Sequence, residues 1–228
     1  MQEETSFFTS EVQVELREFV SQLEEDLSKQ VQITEMGPVA AREERENGTP
    51  TRPKPVLSDK AITREIPTDN RSVPVRAFIP TTQIDGVYLH IHGGGFVTGR
   101  AHHQDDQLLE IMEDANAVVI SVDYRLAPED PYPAAQDDCE VVAEWVIETA
   151  QTEFGTDRIA IGGESAGGHL AASTMIRMRD RHGYSGFSGA NLVYGWFDLS
   201  STPSSRLWGD RYLILNTPIM EWYSEQYV

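Results

Sequence analysis

The sequence has little cysteine, few basic residues and no long apolar run. Cys139 is its only cysteine, so no disulfide can form within the chain, and CxxC redox or zinc-ribbon sites are excluded. The 18 lysines and arginines are outnumbered by 37 aspartates and glutamates, which gives a formal net charge of −19. Such a surface repels phosphates, so neither nucleic acid nor an anionic membrane is expected as a partner. No apolar stretch approaches the length of a membrane-spanning helix. Since no basic-then-apolar leader opens the sequence, a cytoplasmic protein is expected.

Three parts can be distinguished along the 228 residues. Apolar residues recur every three or four positions over residues 9–30, which predicts an amphipathic helix packed against its own protein. Residues 37–60 contain four prolines and predict a linker. We therefore interpret residues 1–58 as an N-terminal helix and linker, 59–200 as the core, and 201–228 as a further segment.

Predicted strands and helices alternate through the core. This alternation is typical of the α/β class, in which a mainly parallel sheet carries helices on both faces. The predicted strands are Ala61–Ile66, Val73–Ile79, Val87–Ile91, Ala117–Val122, Arg158–Gly162 and Asn191–Trp196, and the predicted helices are 102–114, 133–151 and Ala166–Arg181.

The segment Gly163-Glu164-Ser165-Ala166-Gly167 is an instance of G-x-S-x-G, placed where a predicted strand meets a predicted helix. A serine on so sharp a turn adopts a strained backbone and needs small neighbours, which Gly163 and Gly167 supply. Its hydroxyl then projects above a helix N-terminus, whose dipole favours an oxyanion. The pattern predicts that Ser165 is a catalytic nucleophile, and the alternative is a purely structural glycine turn.

A run of three glycines follows the strand Val87–Ile91, within the segment His92–Phe96 (HGGGF). Their backbone N–H groups can point at one spot, as an acyl-transfer enzyme requires for a developing oxyanion. A glycine run can instead cradle a phosphate, but neither the P-loop pattern nor G-x-G-x-x-G is present. The run therefore predicts an oxyanion loop.

A third segment, Asp123–Glu129 (DYRLAPE), follows the strand Ala117–Val122. Alone it indicates no more than a buried Asp–Arg pair and a proline turn. Together with the HGGG loop and the GESAGG elbow, in this order, it resembles the hormone-sensitive-lipase-like branch of the α/β-hydrolases. The resemblance extends from about residue 60 onward. Less specifically, the N-terminal helix and linker resemble that family's N-terminal cap, and residues 201–228 resemble the start of its second cap segment.

The resemblance implies an α/β-hydrolase fold and a carboxylesterase that acts on small acyl esters without a cofactor or a metal ion. Ser165 is expected to attack the ester carbonyl. The backbone N–H of Ala166, with those of Gly94 and Gly95, is expected to hold the oxyanion.

The other residues of the two motifs are expected to support these groups. Gly93 is the least expected of the three glycines to donate to the oxyanion. His92 is expected to anchor the loop rather than to transfer protons. The remaining supporting positions are Gly163, Glu164 and Gly167.

A serine nucleophile needs a base and an orienting carboxylate, which follow the serine along the chain in this fold. Only His169 and His182 follow Ser165. His169 lies one turn along the same helix, and His182 lies roughly 25 Å away at 1.5 Å per residue, so neither is expected to be the base. Asp198 resembles an aspartate that precedes the second cap segment, not the triad acid. We therefore interpret the chain as an esterase truncated at its C-terminus, without the last strands, and inactive or very weak.

The histidines upstream of the serine are given structural roles. His102 and His103 open a predicted helix and are expected at the surface or at the rim of a pocket. His90 and His92 share a strand face, but two histidines without further ligands do not predict a metal site.

Two further expectations concern partners. The alternative to an esterase is a non-catalytic protein of the same fold that binds a small molecule, as the related gibberellin receptors do. The intact elbow favours the enzyme, with a small ester as substrate. The strand Asn191–Trp196 is predicted to be an exposed sheet edge, apolar on both faces, through which two copies of the chain associate.

Overall fold

A computed structural model of the protein describes residues 10–228. It contains one six-stranded sheet, whose strands are β1 (Ile62–Pro67), β2 (Ser72–Phe78), β3 (Gly86–Ile91), β4 (Ala117–Val122), β5 (Ile159–Glu164) and β6 (Gly189–Val193). The order across the sheet is β1-β2-β4-β3-β5-β6. The last four strands of this order run parallel, whereas β1 and β2 are antiparallel to their neighbours. The predicted α/β fold with a mostly parallel sheet is confirmed.

Within residues 10–228, seven α-helices accompany the sheet. They are α1 (Ser10–Ser28), α2 (Ile33–Asn47), α3 (Asp105–Ala115), α4 (Ala134–Thr149), α5 (Ala166–His182), α6 (Pro203–Trp208) and α7 (Thr217–Tyr227). A short 3-10 turn at Ala101–Gln104 precedes α3, and a π-helical turn at Ala150–Phe154 follows α4. No helix of residues 10–228 is both long enough and apolar enough to cross a membrane.

The side chains of β4, inside the sheet, point alternately to its two faces, and helices cover both faces. All six residues of β4 are buried. Val118 and Ile120 belong to the larger core, to which α4 and α5 contribute, whereas Val119 packs with Leu108 and Met112 of α3. The larger core also contains Cys139, the single cysteine, and burial raises the pKa of its thiol well above the usual value.

The interpretation of residues 37–60 as a linker is wrong at its N-terminal end. Helix α2 extends to Asn47. Gly37 interrupts it with a φ of 78°, so that Pro38 stands at the start of a second helical stretch. Proline is tolerated there because the first residues of a helix have no intrahelical N–H partner. The proline that suggested a linker therefore begins a helical stretch.

The expectation that the first helix packs against the protein is met only in part, since Leu23 and Leu27 are half-buried but the apolar residues nearer its start are exposed. None of the described residues of α1 is buried, and Phe19 is 65% exposed. The helix is tied to the C-terminal segment by an ion pair in which Arg211 donates to Glu24 at 2.7 Å.

The strand predicted at Asn191–Trp196 is displaced. β6 ends at Val193, and Tyr194 takes a left-handed φ of 38° as the chain turns away. The turn brings the Trp196 N–H to the Ser165 carbonyl, 3.3 Å from N to O. β6 is nevertheless an edge of the sheet, as expected, while association through that edge stays a prediction.

Candidate active site

Ser165 lies on a sharp turn between β5 and α5. Its backbone has φ 55° and ψ −119°, a region that L-residues rarely occupy. Its N–H donates to the Val193 carbonyl at 2.9 Å, and its own carbonyl accepts from the His169 N–H at 3.1 Å. These bonds hold the strained turn, so the half-buried Ser165 is presented at the C-terminal end of the parallel strands.

The elbow depends on close backbone approach at Gly167. A Cβ atom at this position would stand 1.9 Å from the Ile91 carbonyl oxygen at the end of β3. Only a glycine allows α5 to begin so near the neighbouring strand. The contact also brings the elbow beside the HGGG loop, which starts immediately after Ile91.

The loop folds back on itself through Gly94. This residue has φ 122°, and its carbonyl accepts hydrogen bonds from the N–H groups of Val97 and Thr98 at 3.1 and 2.8 Å. In the described part of the chain, no hydrogen bond is made by the N–H groups of Gly94, Gly95 or Ala166. Gly94 and Gly95 also line the cavity that contains Ser165, whereas Ala166 is fully buried.

Glu164 joins the loop to the elbow. Its Oε1 accepts from the Gly93 N–H at 2.6 Å, and its Oε2 lies 3.2 Å from Nε2 of His90. His90 in turn bonds Ser121 Oγ through Nδ1 at 2.9 Å. Burial opposes the charged carboxylate, but the hydrogen bonds from His90 and Gly93 outweigh it and lower the pKa of Glu164. Gly93 is thus engaged, in keeping with its being the least expected oxyanion donor.

His92 is buried beneath the loop. Its Nδ1 bonds the Gly93 carbonyl at 2.8 Å, and its ring stacks on Tyr124 with the centroids 4.1 Å apart. The Tyr124 hydroxyl donates to the His92 carbonyl at 2.8 Å. Burial holds the pKa of His92 well below its usual value, so the ring is neutral at pH 7. This position suits the predicted anchoring role.

A cavity of about 460 Å³ opens in front of these groups. Ser165 and all three glycines of the loop line it on the sheet side. Trp196 from the turn after β6 and Tyr223 from α7 add aromatic surface, and α7 is held against the loop by stacking of Tyr227 on Phe96, with the centroids 3.9 Å apart. The C-terminal segment therefore forms part of the cavity wall.

The N-terminal segment contributes two arginines to the same cavity. Arg45 lies near the end of α2, and Arg52 lies in the turn that follows it. Neither arginine is predicted from the sequence, because both positions lie in the predicted linker and no motif marks them. Trp196 and Tyr223 were missed as lining residues for the same lack of a local signal.

The end of α2 is fastened to the 3-10 turn by a carboxylate. Glu46 bonds Nε2 of His102 at 3.1 Å and Nε2 of His103 at 2.9 Å through its two oxygens. Burial lowers the pKa of His103 to about 4, although Glu46 acts to raise it. Among residues 10–228, only these three side chains cluster closely enough to hold a metal ion, and here they bond one another. His103 borders the cavity, as expected of a rim residue.

No histidine of the sequence makes a hydrogen bond to the Ser165 hydroxyl. The nearest candidate along the chain, His169, bonds the Trp196 carbonyl through Nδ1 at 2.7 Å. Its ring meets Phe96 edge-on, and burial lowers its pKa. His182, at the far end of α5, bonds Glu140 at 2.8 Å. Both follow the expectation that neither is the base.

Comparison with known proteins agrees with this geometry. Residues 88–228 match the profile of a family described as alpha/beta hydrolase fold. The carboxylic ester hydrolase LipN of Mycobacterium tuberculosis is 34% identical over 185 residues, which are 77% of this chain and 48% of LipN. An ethyl acetate hydrolase of Pseudomonas putida is 32% identical over 178 residues, 75% of this chain and 54% of that protein.

A solved structure shows the same architecture. An esterase of Pyrobaculum calidifontis superposes with a TM-score of 0.76 at 32% identity, over 90% of this chain and 68% of that one. The chain spans about half the length of the curated relatives it matches. With the sheet order, the elbow and the glycine loop, these similarities confirm the expected resemblance to hormone-sensitive-lipase-like esterases, and the chain belongs to the alpha/beta hydrolase fold family.

Proposed function

We propose that the protein is a carboxylic ester hydrolase in which Ser165 is the nucleophile. The observation that carries the proposal is the arrangement at one end of the cavity. Ser165, on its strained turn, lines the cavity together with Gly94 and Gly95. The N–H groups of these two glycines and of Ala166, which follows Ser165 in the chain, make no hydrogen bond within the described residues. Named relatives of similar sequence are ester hydrolases.

In the proposed reaction, Ser165 Oγ attacks the ester carbonyl carbon and the carbonyl oxygen becomes an oxyanion. The three N–H groups stabilise that charge, which is greater in the transition state than in the ester. The alcohol leaves as the tetrahedral intermediate collapses, and water then hydrolyses the acyl-enzyme on Ser165. Each half-reaction needs a group that removes a proton from the attacking oxygen and returns it to the leaving one.

No histidine of residues 10–228 makes a hydrogen bond to Ser165 Oγ, so we propose that this chain by itself turns esters over very slowly. Losing the triad base costs on the order of 10⁶ in turnover. An oxyanion hole and substrate binding alone retain about 10³–10⁴ over water. The hydroxyl proton would pass to solvent.

The test is labelling with a fluorophosphonate, followed by mass spectrometry. We expect slow labelling confined to Ser165 and lost in Ser165→Ala. Ser173→Ala is the matched control, since Ser173 lies on the same helix and bonds the Leu170 carbonyl. Labelling that persists in Ser165→Ala, or that falls equally in Ser173→Ala, would contradict the assignment of the nucleophile.

The rate of turnover of 4-nitrophenyl acetate is a separate test of whether any group in the chain acts as the base. We expect steady-state rates far below the roughly 10 s⁻¹ of a typical enzyme. Rates at that level, lost in Ser165→Ala, would show that another group serves as base.

A second function, binding without hydrolysis, is supported by the same absence of a histidine at the hydroxyl. A preformed cavity of about 460 Å³ is sufficient for a small ligand. Tight binding of an intact ester, with neither labelling nor turnover, would favour this function over hydrolysis.

A further inference from the structure

Two positive charges in the cavity have no carboxylate partner. The chain has a net charge of −19, and most arginines of residues 10–228 form an ion pair with an aspartate or glutamate. Arg45 and Arg52 form no ion pair with any described residue. The side chain of Arg45 makes one long hydrogen bond, from Nη1 to Thr98 Oγ1 at 3.4 Å. Arg45, which is half-buried, and Arg52, which is exposed, thus bring two unpaired positive charges to the same cavity as Ser165.

The carboxylates near the two arginines are committed elsewhere. Asp105 receives two hydrogen bonds from Arg76, and Glu164 is held by His90 and the Gly93 N–H. Glu46, next to Arg45 along the chain, is bonded to two histidines. Asp106 also borders the cavity; it is exposed to solvent, as Arg52 is, and forms no ion pair with either arginine. None of these carboxylates forms an ion pair with either arginine, although the negative charge of Glu164 acts to raise the pKa of Arg45 from beyond ion-pair distance.

The protein environment disfavours the positive charge of the Arg45 guanidinium. Burial and, after it, the neighbouring charge of Arg52 lower the pKa of Arg45. A guanidinium nevertheless keeps its proton in proteins, so both residues are cationic at pH 7. An anion bound between them would relieve the repulsion, and the planar guanidinium fork matches a carboxylate well.

The rest of the lining is suited to an apolar group. Ile214, Leu215 and Met220 of the C-terminal segment border the cavity, with the aromatic ring of Trp196. A ligand complementary to this lining combines an ester carbonyl for Ser165 with an apolar group and a negative charge.

We propose that Arg45 and Arg52 form a subsite for a carboxylate carried by the ester substrate, so that the favoured substrates are monoesters of dicarboxylic acids or similar anionic esters. The inference rests on the proposed function, because it assigns a substrate class to the cavity of Ser165. The two arginines bind and orient the substrate and take no part in bond making.

The test measures binding to Ser165→Ala, in which no turnover occurs. The probes are monomethyl glutarate and methyl 5-methylhexanoate, a neutral ester in which a branched alkyl group replaces the carboxylate. We expect calorimetry to show the glutarate monoester bound about tenfold or more tightly, with an advantage that shrinks as sodium chloride is added. Equal affinity for the two probes would overturn the proposal.

Substitution of the arginines gives the matched comparison. Arg45→Gln with Arg52→Gln, in the Ser165→Ala background, is expected to abolish the preference for the anionic probe and to leave the neutral one unchanged. Arg179→Gln removes one positive charge from an exposed pair with Asp180, away from the cavity, and is expected to keep the preference. Loss of the preference in Arg179→Gln would indicate only a long-range charge effect and overturn the subsite.

Two measurements distinguish misfolding from loss of the subsite. Thermal melting shows whether each variant is folded, and Arg45→Lys tests the role of the guanidinium group. The lysine variant keeps the charge but not the fork, so it is expected to retain part of the preference. Failure of this proposal is distinct from failure of the proposed function. Wild-type hydrolysis of the neutral ester without preference for the anionic one rejects the subsite alone, whereas arginine-dependent binding without Ser165 labelling rejects hydrolysis alone.

Discussion

The glycine-rich end of the sheet and the segments that cover it are held by different forces. At the sheet, the elbow and the loop are fixed by backbone contact, as where Gly167 meets the Ile91 carbonyl, and by the buried bonds of Glu164. The covering segments, which are α1, α2 and the C-terminal segment, are held by contacts between side chains. Glu46 bonds two histidines, and the exposed Arg211 pairs with Glu24.

The groups proposed to carry out the reaction lie at the sheet, whereas the residues proposed to select the substrate lie in the covering segments. Groups that stabilise a transition state must be held rigidly, and close backbone packing does this with few alternatives. The residues that would recognise the remainder of a substrate, Arg45 and Arg52 among them, come from segments with polar and partly exposed contacts. Substitutions at the sheet are therefore expected to have larger effects than substitutions in the cover.

The largest effect is expected for Gly167→Ala. The new methyl group would stand 1.9 Å from the Ile91 carbonyl oxygen, and neither backbone segment can move without breaking the sheet. We expect a loss of about 4 kcal/mol or more in the free energy of unfolding, or failure to fold, measured by urea denaturation. Gly189→Ala is the control, because nothing lies within 4 Å of a Cβ built there. Similar losses in both variants would refute the steric explanation.

Glu164→Gln is expected to weaken reactivity more than stability. The neutral amide is a poorer acceptor for the Gly93 N–H, so the loop and its donors lose definition. We expect fluorophosphonate labelling of Ser165 to slow about tenfold, less than the loss of a whole oxyanion donor.

Two variants accompany that measurement. Glu164→Asp keeps the charge and is expected to restore part of the rate, and Glu113→Gln, which removes an exposed carboxylate paired with Lys60, is expected to change nothing. A melting temperature that falls in step with the labelling rate would point to general destabilisation instead.

Acid is expected to favour unfolding through His103, because burial disfavours the charged form of its ring. Burial places the pKa of His103 at about 4, below the 6.5 of the unfolded chain. The unfolded state therefore takes up the proton first, so this stabilisation is complete above pH 6.5 and is lost as the pH falls towards 4. His103→Gln is expected to flatten the fall in melting temperature across that window by a few degrees. His182→Gln, at the far end of α5, should leave the parent profile intact, and a His103→Gln profile as steep as the parent's would count against the assignment.

The smallest effect is expected in α1. Phe19 is 65% exposed, so Phe19→Ser should change the free energy of unfolding by no more than about 0.5 kcal/mol. A loss several times larger in chemical denaturation would show that α1 packs on the protein in solution, as its apolar periodicity alone suggests.

The sequence predicts most reliably what short-range rules determine. The strand Ala117–Val122 agrees with the structure residue for residue, and the elbow at Ser165 lies between a strand and a helix as its motif requires. Helix α2 was missed because Pro38 usually ends a helix, and only the left-handed Gly37 before it allows a new start. The approach of Arg45 to the cavity depends on how a distant segment folds over the sheet, which no local pattern encodes.

The lone thiol offers a practical consequence. Cys139 is fully enclosed in α4, and its raised pKa leaves almost no thiolate. A maleimide or aromatic disulfide reagent can therefore react only when the helix separates from the sheet. The rate of that modification therefore measures how often α4 separates from the sheet in the native protein, without any added label.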